Sequence, residues 1–151
     1  MDTQNTIFGY AGFWKRFAAF VIDMFILSVG GFIIGFIFGI PYDVLIGKAE
    51  SLEFVDDYII NFILSILLAW IYYAVMEHSS KQATIGKMAL GIIVTDLSGN
   101  RISFGKASGR YFGKTLSGLM LGIGFLMVGF TAKKQGLHDI MARCLVVNKN
   151  S

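Results

Sequence analysis

Residues 13–39 read FWKRFAAFVIDMFILSVGGFIIGFIFG, and this stretch decides the fold. A helix that crosses a bilayer needs about 20 mostly apolar residues, so we expect a first transmembrane helix over 14–39. Two ionisable residues, Arg16 and Asp23, lie in its first half. Each costs roughly 2.5 to 3.5 kcal/mol to insert, and such residues are usually paired or functional. Their spacing puts them about 10 Å apart along the axis on nearly one face, so this face is the first candidate site.

The composition is that of an integral membrane protein. Hydrophobic residues make up 55% of the 151 residues and aromatic residues 15%, and the mean hydropathy is +0.65. A soluble domain does not bury this much apolar material. The net charge of +3 is modest; it fits loops that face a lipid bilayer with anionic headgroups and does not indicate nucleic-acid binding. The single cysteine, Cys144, excludes an intramolecular disulfide.

The two loops beside the second apolar stretch differ in charge. This stretch, YIINFILSILLAWIYYAVM, covers 58–76 and predicts a second transmembrane helix. The loop before it, 42–57, holds five acidic residues and one lysine, whereas 77–114 holds six Lys or Arg residues and two acidic ones. Loops rich in Lys and Arg stay in the cytoplasm. We therefore expect the N-terminus to be cytoplasmic and the acidic loop to be external.

Small or polar residues mark one face of each predicted span. In the first span glycine recurs at every fourth position: Gly31, Gly35 and Gly39. This spacing lets a neighbouring helix approach closely, or it provides a hinge or an ion path. In the second span Asn61, Ser65 and Tyr72 line one stripe. Such a stripe either hydrogen-bonds to a partner helix or lines a water-filled cavity.

A small sheet and a third membrane segment are expected after the second span. In GIIVTDLSGNRISF, 91–104, β-branched runs flank Ser-Gly-Asn, which predicts a cytoplasmic β-hairpin. A glycine-rich apolar segment follows over 111–131. If it crosses once, the basic tail lies outside, against the positive-inside tendency. If it is re-entrant, the tail returns to the cytoplasm and the strand 144–148 can join the hairpin, and the charge favours this second alternative.

The tail, 133–151, begins with an amphipathic pattern. In KKQGLHDIMARC a short helix is expected to have Leu137, Ile140 and Met141 on its apolar side. Its polar chemistry comes from His138, Asp139 and Arg143. Asp139 and Arg143 have the i, i+4 spacing of an ordinary ion pair. The predicted fold class is thus an all-α integral membrane protein: two transmembrane helices, a third Gly-rich membrane segment and a small β-hairpin in one membrane domain.

Three fragments together resemble the RDD family of small bacterial membrane proteins. They are GFWKRFAAFVIDMFIL, ATIGKMALGIIVTDLSGNRISFGKASGRY and KKQGLHDIMARCLVV. The family is named for one arginine and two aspartates. The resemblance assigns the arginine to Arg16, the first aspartate to Asp23, and the second to Asp139 or, alternatively, Asp96. It implies a multi-pass protein of the bacterial cell membrane, in a family suspected of transport.

Two functions are compatible with these features. In the first, an oligomer transports protons, cations or small ligands through a site built on a buried pair of Arg16 and Asp23, because two or three membrane segments cannot enclose a pathway alone. In the second, the chain is an accessory or regulatory subunit that binds another membrane protein, and Asp23 pairs with a basic residue such as Arg110 or Lys114. Besides Arg16, Asp23 and Asp139, the secondary site candidates are Asn61, Ser65, Tyr72, Arg110, Lys114, His138 and Arg143.

An enzyme is not expected, and neither catalytic residues, nor a metal site, nor a cofactor is predicted. The two histidines, His78 and His138, do not have HExxH spacing, and no serine lies in a GxSxG elbow. Glu77 and His78 end the second apolar stretch, where we interpret them as interfacial. The expected partners are the bilayer and a second copy of the chain or another membrane protein.

Overall fold

The computed structural model describes residues 9–37, 39, 55–119 and 123–149. Most of these residues are helical, and two short strands form one sheet, which confirms the predicted fold class. In chain order the elements are α1 (Phe13–Ile37), α2 (Val55–His78), α3 (Ile85–Ala89), β1 (Ile92–Asp96), α4 (Phe104–Leu119), α5 (Ile123–Phe130), α6 (Leu137–Met141) and β2 (Cys144–Asn148). Most of the predicted external loop, 42–57, lies outside the described residues.

Helices α1 and α2 are both long and apolar enough to cross a membrane, as predicted. Large apolar side chains stay exposed along them; Phe25 is 72% exposed and Phe36 77%. Surfaces of this kind are favourable only against lipid or another protein. Helix α1 ends at Ile37, and Gly39 lies beyond its end with a φ of +68°. It therefore does not extend the glycine face that Gly31 and Gly35 form within the helix.

Strands β1 and β2 pair in antiparallel fashion, with Asp96 opposite Cys144. A small antiparallel sheet is thus confirmed, but the predicted hairpin within 91–104 is wrong, because the partner of β1 is the tail strand. The chain turns sharply after β1, where the Asp96 carboxylate accepts hydrogen bonds from the N–H groups of Ser98 and Asn100. It then enters α4 instead of running back along β1. The apolar strand β2, whose first four residues are buried, occupies that edge.

The third membrane segment consists of α4 and α5, whose axes enclose an angle of 105°. The strand before this segment, β1, and the strand after it, β2, are directly hydrogen-bonded. Paired strands lie about 5 Å apart, whereas the apolar core of a bilayer is about 30 Å thick. A single crossing would separate the strands by that thickness. We infer that the segment is re-entrant, the alternative that the charge distribution favours.

Contacts divide the chain into two units. The first unit comprises the described residues up to Asp23 and from Tyr72 onward, and it contains the sheet and α3 to α6. The second unit, from Met24 to Ile71, consists of the remaining described parts of α1 and α2. It contains an open cavity of about 500 Å³ lined by Met24, Leu27, Ser28, Gly31, Phe32, Asn61, Ser65 and Leu68.

The short helix α6 turns its polar side inward. His138 and Asp139 are 5% and 0% exposed, whereas Ile140 and Met141 are 42% and 56% exposed. An apolar helix face normally packs against the interior. In α6 the apolar residues Ile140 and Met141 face outward instead. The physical reason is that the interior beside α6 is lined by charged side chains, which bind the carboxylate of Asp139.

Candidate functional site

Asp23 is 1% exposed in α1 and is held by neutral donors. Its Oδ1 accepts hydrogen bonds from the Tyr72 hydroxyl at 2.7 Å and from the Gly86 N–H at 2.8 Å, and its Oδ2 accepts one from the Thr84 hydroxyl at 2.6 Å. The Tyr72 oxygen in turn accepts a hydrogen bond from the N–H of Ile85 at 3.1 Å. Hydrogen bonds to the charged form stabilise a carboxylate. We call Asp23, Tyr72, Thr84 and Gly86 the Asp23 pocket.

The glycine at position 86 allows α3 to reach Asp23. A Cβ atom there would collide with the carbonyl oxygen of Ala19 and lie 2.9 Å from Oδ1 of Asp23. Thr84 is the N-cap of α3, and its hydroxyl also accepts a hydrogen bond from the N–H of Lys87. The start of α3 therefore presents one hydroxyl and one backbone N–H to the same carboxylate.

Arg16 is not paired with Asp23. It forms an ion pair with Asp139 of α6 and donates a hydrogen bond to the carbonyl of Lys134. The predicted buried pair of Arg16 and Asp23 is therefore wrong, although both residues lie on α1. Of the two alternatives for the second aspartate, Asp139 contacts Arg16, whereas the carboxylate of Asp96 closes the turn after β1.

A continuous series of ion pairs extends from Arg16 into the first unit. Arg110 of α4 is 1% exposed and pairs with Asp139 at 2.7 Å and with Glu77 of α2 at 3.0 Å. Glu77 also pairs with Lys87 of α3 and, at 3.6 Å, with Lys114 of α4. The buried ion cluster is defined as Arg16, Glu77, Lys87, Arg110, Lys114 and Asp139. The cluster connects five helices. The expectation that Arg110 or Lys114 pairs with Asp23 is wrong, because both cations bind Glu77.

Burial and the neighbouring opposite charges shift the pKa values of the cluster residues in opposite directions. Burial lowers the pKa of Lys87 to about 8, although Glu77 opposes the shift. Burial alone would raise the pKa of Asp139, but Arg110 and the other nearby cations hold it well below its usual range. Burial lowers the pKa of His138 to about 3. At neutral pH, Asp139 is therefore ionised and His138 is uncharged.

His138 lies beside the cluster because two helices approach closely. Its Nε2 is 3.4 Å from Oδ1 of Asp139. A Cβ atom at Gly113 of α4 would lie 3.0 Å from the Cβ of His138, and one at Gly136 would lie 2.8 Å from its Cε1. The two glycines therefore leave the space in which the ring packs against Asp139.

The remaining predicted residues lie apart from the cluster. Asn61 and Ser65 line the cavity of the second unit, and the Ser65 hydroxyl donates a hydrogen bond to the carbonyl of Phe62 in its own helix. Arg143 is exposed just after α6 with a φ of +52°. The predicted ion pair between Arg143 and Asp139 is wrong, because Asp139 turns inward to Arg16 and Arg110.

Four residues of the two sites were not among the sequence candidates: Glu77, Thr84, Gly86 and Lys87. Glu77, interpreted as interfacial, is 1% exposed and binds three cations. Lys87 and Thr84 follow it in a short segment before β1. The sequence feature that could have identified Glu77 is its place as an acidic residue between an apolar span and a strongly basic loop. In residues 9–37, 55–119 and 123–149, no group of three His, Cys, Asp or Glu side chains could hold a metal ion.

Known proteins are similar to this chain over most of its length. A model described as the RDD family matches residues 10–143. The chain is 40% identical to "Uncharacterized protein YxaI" of Bacillus subtilis (strain 168), over 92% of this chain and 97% of that protein. It is 28% identical to "Uncharacterized membrane protein YteJ" of the same organism, over 93% of this chain and 82% of that protein. No solved structure matches it. The matched range includes Arg16, Asp23 and Asp139, and the chain is a membrane protein that belongs to the RDD family.

Proposed function

We propose that this membrane protein transports protons or small cations as an oligomer, with Asp23 as the group that binds the ion. The observation that carries the proposal is that Asp23 forms no ion pair with any residue that the structure describes. Three buried carboxylates are present in the described part of the chain: Asp23, Glu77 and Asp139. Glu77 and Asp139 each bind arginine or lysine side chains, whereas Asp23 has neutral donors.

The pocket around Asp23 is chemically suited to gain and lose a positive charge. The hydroxyls of Tyr72 and Thr84 can donate a hydrogen bond to the carboxylate or accept a hydrogen bond from the carboxylic acid. Only the Gly86 N–H is a fixed donor. Ionisable residues inside membrane segments commonly mark ion or proton pathways. Protonation of Asp23 would therefore leave its neighbours with hydrogen-bond partners.

The oligomeric part of the proposal rests on size. Two spanning helices and one re-entrant segment are too few to surround an aqueous pathway. The cavity in the second unit has polar or small residues, including Ser28, Gly31, Asn61 and Ser65, which are typical of contacts between helices in lipid. In the proposed orientation the N-terminus and the sheet are cytoplasmic, in keeping with the basic 77–114 segment.

The test is ion flux into proteoliposomes that contain the purified full-length protein. A pH gradient should drive proton or cation flux through the parent protein, and Asp23→Asn should abolish it. Asp56→Asn is the matched control, because Asp56 is an exposed carboxylate at the start of α2. Absence of flux in the parent, or unchanged flux in Asp23→Asn, contradicts the proposal.

A second candidate function, an accessory subunit, is favoured by one observation. Asn61 lies in a membrane span and lines the open cavity, and no hydrogen bond of its carboxamide is found among the described residues. Amide side chains in spans often hydrogen-bond across helices. With Cys144 replaced by Ala, a thiol-reactive crosslinker on Asn61→Cys in native membranes should then capture one particular membrane protein. Capture of self-dimers alone contradicts this alternative.

A further inference from the structure

The buried ion cluster contains more positive than negative charge. Its cations outnumber its carboxylates by four to two: Arg16, Lys87, Arg110 and Lys114 against Glu77 and Asp139. Asp23 forms no ion pair with any of these four cations. Even with its charge included, the cations remain in excess. Desolvated charges are stable only when they are compensated, so the cluster is electrostatically suited to an anion.

Lys114 is the least neutralised cation of the cluster. Its Nζ is 3.6 Å from Oε1 of Glu77, and the same oxygen is already bound by Lys87. The side chain of Lys114 is 22% exposed, compared with 12% for Arg16 and 1% for Arg110. The cluster is therefore most open to its surroundings at Lys114.

Next to this lysine lies a buried hydroxyl that has no partner. Nζ of Lys114 is 4.1 Å from the centre of the Tyr73 ring. Tyr73 is 7% exposed, and its hydroxyl forms no hydrogen bond in the part of the chain that the structure describes. A buried polar group without a partner is unfavourable. The ammonium group of Lys114 and the hydroxyl of Tyr73 can each donate a hydrogen bond to a bound acceptor.

We propose that Lys114 and Tyr73 form a binding site for a phosphate group, which neutralises the excess charge of the cluster. A phosphate offers several anionic oxygens and can accept hydrogen bonds from both groups at once. The position is suitable for a lipid headgroup, because Tyr73 is one turn before Glu77 near the end of the α2 span. The phosphate can come from an anionic phospholipid or from free inorganic phosphate. The site does not depend on ion transport at Asp23.

The experiment measures ligand binding to the full-length protein in a neutral detergent, without an ion gradient. Native mass spectrometry counts bound phosphatidylglycerol, with zwitterionic phosphatidylcholine, whose headgroup has no net charge, as the comparison, and a separate titration uses inorganic phosphate. Lys114→Gln should weaken binding at least about tenfold, as expected for a lost charge-assisted hydrogen bond. Tyr73→Phe removes only the hydroxyl and should weaken it about fivefold. Lys106→Gln, at an exposed lysine of the same helix, should bind like the parent.

Each outcome has a defined meaning. Retention of phosphatidylglycerol alone identifies the lipid headgroup as the source, and binding of inorganic phosphate identifies the free anion. Equal retention of phosphatidylcholine and phosphatidylglycerol without phosphate binding overturns the proposal. It is also overturned if Lys106→Gln lowers the affinity as much as Lys114→Gln. If Lys114→Gln does not fold, the isosteric Tyr73→Phe decides, and unchanged affinity there rejects the site.

Discussion

The Asp23 pocket and the buried ion cluster both hold carboxylates away from water, but with different chemistry. In the pocket, Asp23 receives hydrogen bonds from two hydroxyls and one backbone N–H. In the cluster, Glu77 and Asp139 are surrounded by arginine and lysine side chains. Neutral hydroxyls can reverse their hydrogen bonds when a carboxylate gains a proton, whereas cations cannot. The pocket therefore holds its carboxylate with neutral groups, whereas the cluster holds its carboxylates with opposite charges.

The same contrast assigns different roles to Arg16 and Asp23. Arg16 connects the start of α1 to α6 through Asp139, and Arg110 continues that connection to α2. Removal of one partner from such a network leaves a buried charge uncompensated. We therefore regard the cluster as the element that holds the first unit together, whereas the proposal of ion binding concerns the Asp23 pocket alone. Four predictions test this distinction.

The largest effect is expected for Asp139→Asn. The substitution leaves Arg16 without its carboxylate and removes one of the two partners of Arg110, so it should lower the free energy of unfolding by about 3 to 5 kcal/mol. Denaturant titration in detergent, followed by circular dichroism, measures the change. The exposed Asp56→Asn should have almost no effect. A loss below about 1 kcal/mol for Asp139→Asn would mean that the cluster does not hold the unit together.

Gly86→Ala should disrupt the contact between α3 and α1. The new methyl group would overlap the backbone carbonyl of Ala19, and overpacking of this kind costs about 1 to 3 kcal/mol. Gly109→Ala is the matched control, because a Cβ at that helical position meets no atom within 4 Å. It should stabilise the protein by up to about 1 kcal/mol, since alanine favours the helix. The two substitutions should change the free energy of unfolding in opposite directions. A change in the same direction would contradict the close contact between α3 and α1.

The buried, uncharged His138 should make the stability of the protein depend on pH. Its pKa is lowered from 6.5 to about 3 in the folded protein, so below pH 6.5 the unfolded chain binds a proton that the folded protein does not. The free energy of unfolding should therefore fall with decreasing pH, by up to about 1.4 kcal/mol per pH unit. The pKa of Asp139 is also lowered in the folded protein, so this residue contributes a loss of stability only below its ordinary pKa of 3.8.

The measurement is a series of unfolding titrations between pH 7 and pH 4. His138→Gln removes the titrating group and should flatten the slope. His78→Gln, at the other histidine of the chain, should leave the His138 slope in place. If the parent and His138→Gln lose stability equally with falling pH, the buried neutral histidine is not the source.

The smallest effect on stability is expected for Asp23→Asn, even though this variant should abolish flux. The asparagine carbonyl can still accept the hydrogen bonds of Gly86 and Tyr72, and its amide can donate to the Thr84 hydroxyl. The loss should be about 1 kcal/mol, the difference between a charge-assisted hydrogen bond and a neutral one. A loss as large as that of Asp139→Asn would show that Asp23 is a structural anchor like the cluster.

Much of the architecture was predictable because it depends on local composition. The apolar runs define α1 and α2, and the charges Arg16 and Asp23 mark α1 as unusual. The hairpin prediction failed because β-branched residues indicate a strand but not its partner. Residues 101–104 and 144–148 were both available to β1, and the apolar tail strand pairs with it.

The partners of the charged residues were less predictable. Arg16 and Asp139 are separated by 123 positions, and Arg110 and Glu77 by 33. Helical spacing relates only residues within a few turns, so it favoured Arg16 with Asp23 and Asp139 with Arg143. Neither pair forms, because α6 packs against α4 through Gly113 and turns Asp139 toward two arginines.

The sequence by itself determined that this is a membrane protein, and it showed which two segments are long and apolar enough to cross a bilayer. It also marked Arg16 and Asp23 as ionisable residues within the first of them, because hydrophobic length and insertion cost are properties of local segments. Only the tertiary structure decided that Asp23 is held by hydroxyls and a backbone N–H, and that Arg16 belongs to a separate ion cluster. Those contacts arise where glycines at positions 86 and 113 let short helices approach distant ones. Such approach is set by the packing of the whole unit.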